Sequence, residues 1–316
     1  MQSHTLSRAE FLRVSAAAVV AAAVGATADG GGRAAAGAAN AAPIMTRKIP
    51  SSGAALPVIG VGTWQVFDAG ASAAERAPLA LVLETLFAGG GSVVDSSPMY
   101  GRAEGVAGDL LAAAKTRDKA FIATKVWTRG RAEGVAQMER SFALFKTDKI
   151  DLMQVHNLLD CETHLQTLRG WKAEGRIGYI GVTHYTSSAY GELEAVLRKE
   201  KLDFVQLNYA MDDRAAEKVL LPRAADRGIA VLVNRPFGGG GLLRTLKGRA
   251  LPVWAAEIGC TSWAQILLKF IVAHPAVTCA IPGTAKPEHM LDNLDAGRGV
   301  LPDAALREKM AAAIAS

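Results

Sequence analysis

Asp95, Tyr100, Lys125 and His156 are the residues of this chain whose types and settings suit them to move a proton. The apolar run SVVD ends in Asp95, and Tyr100 follows five residues later in SSPMYG. FIATKV carries Lys125 near its end, and IDLMQVH ends in His156. A phenol titrates at about 10 and is a poor acid at neutral pH. A nearby ammonium stabilises its anion, so Lys125 is expected to lower the pKa of Tyr100. A lysine in an apolar strand tends to lose its proton, and Asp95 is placed to keep it charged. His156 is placed to hydrogen-bond an incoming carbonyl oxygen. The four make a proton donor for a developing alkoxide. They include no nucleophile and no metal-ligand set, so the electrons must come as hydride from a bound cofactor. Singly, each also has a structural reading: an ion pair, a core histidine, a packed tyrosine. All four in order, each at a strand end or in the loop after it, favour chemistry over packing.

Short apolar runs that alternate with amphipathic ones must position these groups. Strands are expected at 57–63, 92–95, 120–126, 150–156, 177–184, 204–209, 229–236 and 277–283. Between them lie helical patterns such as AERAPLALVLETLFAGG, EGVAQMERSFALFK and SWAQILLKFIVAH. The strand runs are β-branched and almost continuously apolar, as parallel strands buried on both faces are. Their spacing is that of a βα unit. Eight such units in about 260 residues predict an α/β fold of the (β/α)8 TIM-barrel type, a single catalytic domain with its site at the C-terminal ends of the strands. A doubly wound open sheet is the alternative, but GVGTW is not the GxGxxG expected after its first strand. A helix over 302–314 closes the chain.

The 316 residues are half hydrophobic and 21% charged, enough to bury a large core. The net charge of +5 is scattered, without a basic block or interleaved aromatics, which argues against nucleic acid. Cys161, Cys260 and Cys279 form neither a disulfide framework nor a metal cluster, and no metal site is expected. A basic, polar start precedes an apolar run from Val14 to Val24 and then small residues. That is the outline of an export signal, too short to span a membrane. SRAEFLR is similar to a twin-arginine motif, with Ala9 where the second arginine belongs. The domains are therefore expected as an export signal and Ala/Gly-rich linker over 1–44 and a barrel over 45–316. Residence is then periplasmic or secreted, or cytoplasmic if Met45 is the true start.

Asp95 with the SSPMYGRAE that follows it, IATKVW, KIDLMQVHN, IGVTHY, VQLNY and IPGTAKPEHMLDNL resemble the aldo-keto reductase superfamily, over about Leu56 to Leu294. The resemblance implies a barrel that binds NADP(H) at its mouth without a Rossmann domain, with NAD(H) the alternative. It implies Tyr100 as general acid, tuned by Lys125 and Asp95, and His156 as the group orienting the carbonyl. Thr183 and His184 stand where the family usually has Ser-Asn on the nicotinamide carboxamide, and Gln206 matches the glutamine that completes that grip. Asn234, in NRPFGGGGLL, stands where relatives often have a stacking aromatic. Arg235, Pro236, Phe237 and Gly238 follow it, and Phe237 is placed to cover part of the ring or pyrophosphate. Gly62 and Thr63 complete the cofactor side of the mouth. Thr284 and Lys286 are expected at the 2′-phosphate and Asn293 at the adenine, while Gly283 and His289 replace frequent Lys and Arg. Trp64 and Trp127 are expected to line the substrate pocket, which favours carbonyls with hydrophobic bodies.

The expected function is NADP(H)-dependent reduction of an aldehyde or ketone, or the reverse, by a monomer whose partner is a small carbonyl or alcohol. The alternative is a nucleotide-binding redox-sensing module with little turnover. No stable membrane insertion is expected once the signal is removed.

Overall fold

The computed structural model of the protein describes residues 42–315. The export signal and most of the linker expected over 1–44 lie outside the described residues. The chain first makes an antiparallel hairpin, β1 (Thr46–Lys48) and β2 (Ala55–Pro57). Eight parallel strands follow: β3 (Val61–Gly62), β4 (Val93–Asp95), β5 (Phe121–Val126), β6 (Ile150–His156), β7 (Ile177–Thr183), β8 (Phe204–Asn208), β9 (Ala230–Asn234) and β10 (Cys279–Ala280). Each pairs with the next in sequence. Parallel bridges Ile59 to Ala280 and Gly62 to Gly283 join the first to the last, closing the barrel. Closure removes the sheet edges that an open sheet would leave unpaired.

The expected strand over 57–63 shortens to Val61–Gly62, because Ala55–Pro57 turns back to pair with β1. The hairpin has no counterpart among the expected strands. Its Ile49 and Leu56 plug the base of the barrel, packing with Val93, Ala123, Leu152, Phe204 and Leu232. Arg47 ties it to the chain after a late helix, donating to the carbonyls of Val272, His274, Pro275 and Val277.

Helices surround the sheet. Those that bear on the argument are α1 (Ala73–Ala88), α2 (Ala103–Ala114), α3 (Arg131–Phe145), α4 (Cys161–Ala173), α5 (Tyr190–Lys199), α6 (Leu220–Asp226), α7 (Gly241–Thr245), α8 (Trp263–Val272), α9 (Pro287–Asp295) and α10 (Ala304–Ala315). The start of α1 is set by Ser72, whose hydroxyl accepts from the Glu75 amide and donates to the Glu75 carboxylate. The outer core fills the space between strands and helices with Val94, Ile122, Met153, Val205 and Val231 against residues such as Leu83, Leu111, Phe142 and Ile266. Among the described residues no helix is long and apolar enough to cross a membrane.

Candidate active site

Side chains alternate across a strand, so residues two apart share a face. In β4, β5, β6 and β8 the residues Val93, Ala123, Leu152 and Phe204 belong to the inner apolar layer. Two positions further along stand Asp95, Lys125, Gln154 and Gln206, so the same inward face turns polar towards the C-terminal ends. The register brings Lys125 opposite Gln154 and His156 opposite Thr183. Tyr100 lies in the loop after β4, where its amide donates to the Ser97 carbonyl. The fold thus gathers all four expected catalytic residues at one rim.

Lys125 is 0% exposed. Its Nζ donates to Asp95 Oδ2 at 2.7 Å and to the Ser96 carbonyl at 2.6 Å. Burial works to strip its proton, but Asp95 and Tyr100 outweigh burial and its pKa rises. The other oxygen, Asp95 Oδ1, accepts from Gln206 at 2.7 Å and from Gln154 at 3.4 Å. The ammonium lies 5.1 Å from the centre of the Tyr100 ring. The expected lowering of the Tyr100 pKa is corrected here: burial, the larger effect, pushes the phenol up, and Lys125 only pulls against it. A free phenol in this site therefore keeps its proton. His156 meets the Tyr100 ring edge-on at 5.9 Å and the Trp127 ring at 6.5 Å. Burial first, then the fields of Lys125 and His184, bring its pKa down to about 2, so it is neutral. Its Nδ1 lies 3.0 Å from the Ser97 hydroxyl.

On the cofactor side, Gln206 donates one amide hydrogen to Asp95, and its Oε1 accepts from Thr183 at 3.3 Å and from Asn234 at 3.3 Å. Asn234 also donates to the His184 carbonyl, and its own Oδ1 is buried without a partner among the described residues. His184 Nδ1 accepts from the amides of Tyr185 and Thr186. The Thr63 hydroxyl is committed to Ser96 at 2.8 Å, and Gly62 sits on the barrel seam. Pro236 is buried, and Phe237 packs on the outer core. Arg235 has φ of 50° and holds its guanidinium 5.9 Å from the Tyr185 ring. Gly238 has φ of 57°, which favours glycine, and a Cβ there would lie 3.0 Å from the Asp212 carboxylate. At the start of α9, Thr284 bonds back to Lys286 and Lys286 is exposed, while Asn293 is buried. Asp292 accepts from Ser262 and Gln265 at 2.7 Å each. Trp127 is 40% exposed beside His156. Trp64 is 51% exposed on the loop after β3 and makes no ring contact among the described residues.

A family model described as the aldo/keto reductase family matches residues 58–312. The chain belongs to the aldo/keto reductase family. Among solved structures it is similar to an aldo-keto reductase from Klebsiella pneumoniae in complex with NADPH. The TM-score is 0.73 at 25% identity, over 86% of this chain and 96% of that one. It is 27% identical over 190 residues to the aldo-keto reductase YhdN of Bacillus subtilis, and spans about half that relative's length, 56%. It is 25% identical over 249 residues to a glyoxal reductase of Bacillus subtilis, over 77% of this chain and 84% of the relative.

In this aldo/keto reductase the sequence reading missed Ser96, Ser97 and Gln154, all within bonding distance of the four central residues. Gln154 was within reach, because it lies two residues before His156 and so shares its face. Ser96 acts through its backbone carbonyl, to which residue type is no guide. The residues present fit a nicotinamide nucleotide on one observation in particular: Asn234, whose Nδ2 donates to Gln206, carries a buried Oδ1 with no partner among the described residues, an acceptor of the kind a carboxamide N–H satisfies.

Proposed function

We propose that the protein is an NADP(H)-dependent oxidoreductase that reduces an aldehyde or ketone to an alcohol, or runs the reverse, with Tyr100 as the proton donor. The observation that carries this reading is the buried Asp95–Lys125 pair set 5.1 Å from the Tyr100 ring with neutral His156 edge-on beside it. Family membership and the NADPH named for the Klebsiella relative support the cofactor, with NAD(H) as the alternative. Thr183, His184 and Asn234 would hold the nicotinamide end, Arg235 and the glycines after it the pyrophosphate, and Thr284, Lys286 and Asn293 the adenosine end. When bound, NADP(H) supplies or takes the hydride.

The protein's own part is protonation and orientation. Tyr100 keeps its hydrogen in the free site, so it stands ready to give it to an alkoxide. Lys125 meets the phenolate left behind. Asp95 keeps Lys125 charged, and two glutamine amides hold Asp95 in place. His156 carries no charge and so orients a carbonyl oxygen by hydrogen bonding alone. Trp127 and Trp64 offer an apolar rim to the body of the substrate.

Single-turnover stopped flow with NADPH and 4-nitrobenzaldehyde tests the reading, with NADH run alongside. Tyr100→Phe should slow hydride transfer by ~10²-fold or more at near-parental nucleotide affinity. An unchanged rate removes Tyr100 from the reaction. Absence of any transfer in the parent, with tight nucleotide binding retained, would favour a sensing module. Export by the N-terminal segment is part of the proposal, motivated by its basic start and apolar run. Recovery of the full-length chain, uncleaved, from the cytoplasm alone would refute it.

A further inference from the structure

Ser97 is 1% exposed, in the turn between β4 and Tyr100. Its hydroxyl has two partners among the described residues. One is His156 Nδ1 at 3.0 Å, and the other is the Met99 amide, which donates to it at 3.4 Å. An amide N–H only donates, so one lone pair of the Ser97 oxygen is already taken. The Ser97 hydrogen then has a single acceptor within reach, the Nδ1 lone pair. Were Nδ1 protonated instead, the Ser97 hydrogen would be sealed in the interior with nothing to receive it, an arrangement that folded proteins avoid. Among the described residues no hydrogen bond engages Nε2, and Nε2 is not among the sealed, unpartnered atoms.

We propose that Ser97 is a positioning residue for the reaction: it donates to Nδ1 of His156, holds the ring in the Nε2–H tautomer, and so aims an N–H donor at the substrate carbonyl. The inference rests on the reading of His156 as the group that orients the carbonyl. A neutral imidazole has one donor and one acceptor nitrogen, and the bond made by one decides what the other offers. Fixing the acceptor at the buried nitrogen puts the donor at the open one, where negative charge develops as hydride arrives. The Ser97 hydroxyl also limits rotation of the ring between Tyr100 and Trp127. Ser97 itself is buried, 1% exposed. It acts through His156.

The test uses the full chain with 15N-labelled histidine, and His156→Asn identifies the His156 signals among those of the six histidines. In the parent, Nδ1 should appear as an unprotonated nitrogen accepting a hydrogen bond, and Nε2 as the protonated one. In Ser97→Ala, Nδ1 should move towards the position of a lone pair with no donor. Single-turnover hydride transfer should fall ~10-fold, a fraction of the loss seen on deleting an oxyanion donor outright, while the NADPH dissociation constant holds. Ser97→Thr keeps the hydroxyl and should return both readouts towards the parent. A parent spectrum with the proton on Nδ1 overturns the proposal. So does a Ser97→Ala variant with the parental transfer rate, or a Thr variant as impaired as Ala. The parent spectrum needs no turnover, so it decides the tautomer even if Tyr100→Phe shows that the proposed reaction is wrong.

Discussion

Lys125→Met tests whether a buried ammonium makes Tyr100 a usable acid. The positive charge lies 5.1 Å from the Tyr100 ring centre. At an effective dielectric of about 20, a unit charge at that distance interacts with another by about 3 kcal/mol. A phenol that has given up half to all of its proton carries half to all of that interaction, about 1.5–3 kcal/mol. The hydride-transfer step should therefore slow by ~10- to ~150-fold. The substitution also unmasks Asp95, whose field already opposes ionisation of the phenol. It would leave a buried carboxylate held only by Gln206 and Gln154. Breaking such a pair costs roughly 3–5 kcal/mol of stability. Asp95→Asn combined with Lys125→Met removes the orphaned charge and should recover part of the stability but none of the rate. Urea unfolding reads the first quantity, and stopped-flow single turnover at saturating NADPH reads the second. The Lys125→Met rate should also respond to pH differently from the parent, because the acid titrates higher without its cation. A transfer rate and pH profile matching the parent, in a folded variant that binds nucleotide normally, would refute the electrostatic argument.

His156 titrates at about 2 in the folded protein against about 6.5 when free. Between those values the unfolded chain binds a proton that the native state refuses, so its share of stability is present above about pH 6.5 and is lost as pH falls. The slope approaches about 1.4 kcal/mol per pH unit. His156→Asn should flatten that part of a stability-versus-pH curve measured by urea unfolding, and an unchanged slope would show that His156 is not the group concerned. Away from the site, a Cβ on Gly108 in α2 would lie 2.0 Å from the Leu144 carbonyl oxygen and 2.7 Å from the Phe145 Cα in α3. Gly108→Ala should therefore push the helices apart and cost ~3 kcal/mol. Gly105→Ala, one turn earlier, meets only the flexible Leu144 side chain at 3.3 Å. It should be neutral or gain up to ~1 kcal/mol from helix propensity. Equal thermal shifts for the two variants would contradict this packing.

Much of the molecule is legible before folding, for local reasons. A buried parallel strand must be apolar on both faces, so the eight runs show themselves, and the polar residues that end them mark the rim. Asp95, Lys125 and His156 can be placed in this way, and Tyr100 follows from its loop. The β1–β2 hairpin is not legible: TRK and ALP are too short for a period, and only the open base of the barrel gives Ile49 and Leu56 something to plug. Gln206 is singled out by its match to the family's glutamine. That its amide nitrogen also donates to Asp95, a residue 111 positions away in the chain, is written in no local pattern.

By itself, the order of residues along this chain determined that there would be eight buried strands and that an acid, a phenol, an amine and an imidazole would stand at or just past their ends. Those facts follow from backbone geometry and side-chain alternation, which act over a few residues. Only the tertiary structure decided which group bonds to which: that Gln206 serves Asp95, that Ser97 faces His156, and that burial outweighs Lys125 in setting the phenol's proton affinity. Desolvation and hydrogen-bond pairing depend on what closes around a group from distant parts of the chain, and no local pattern records that.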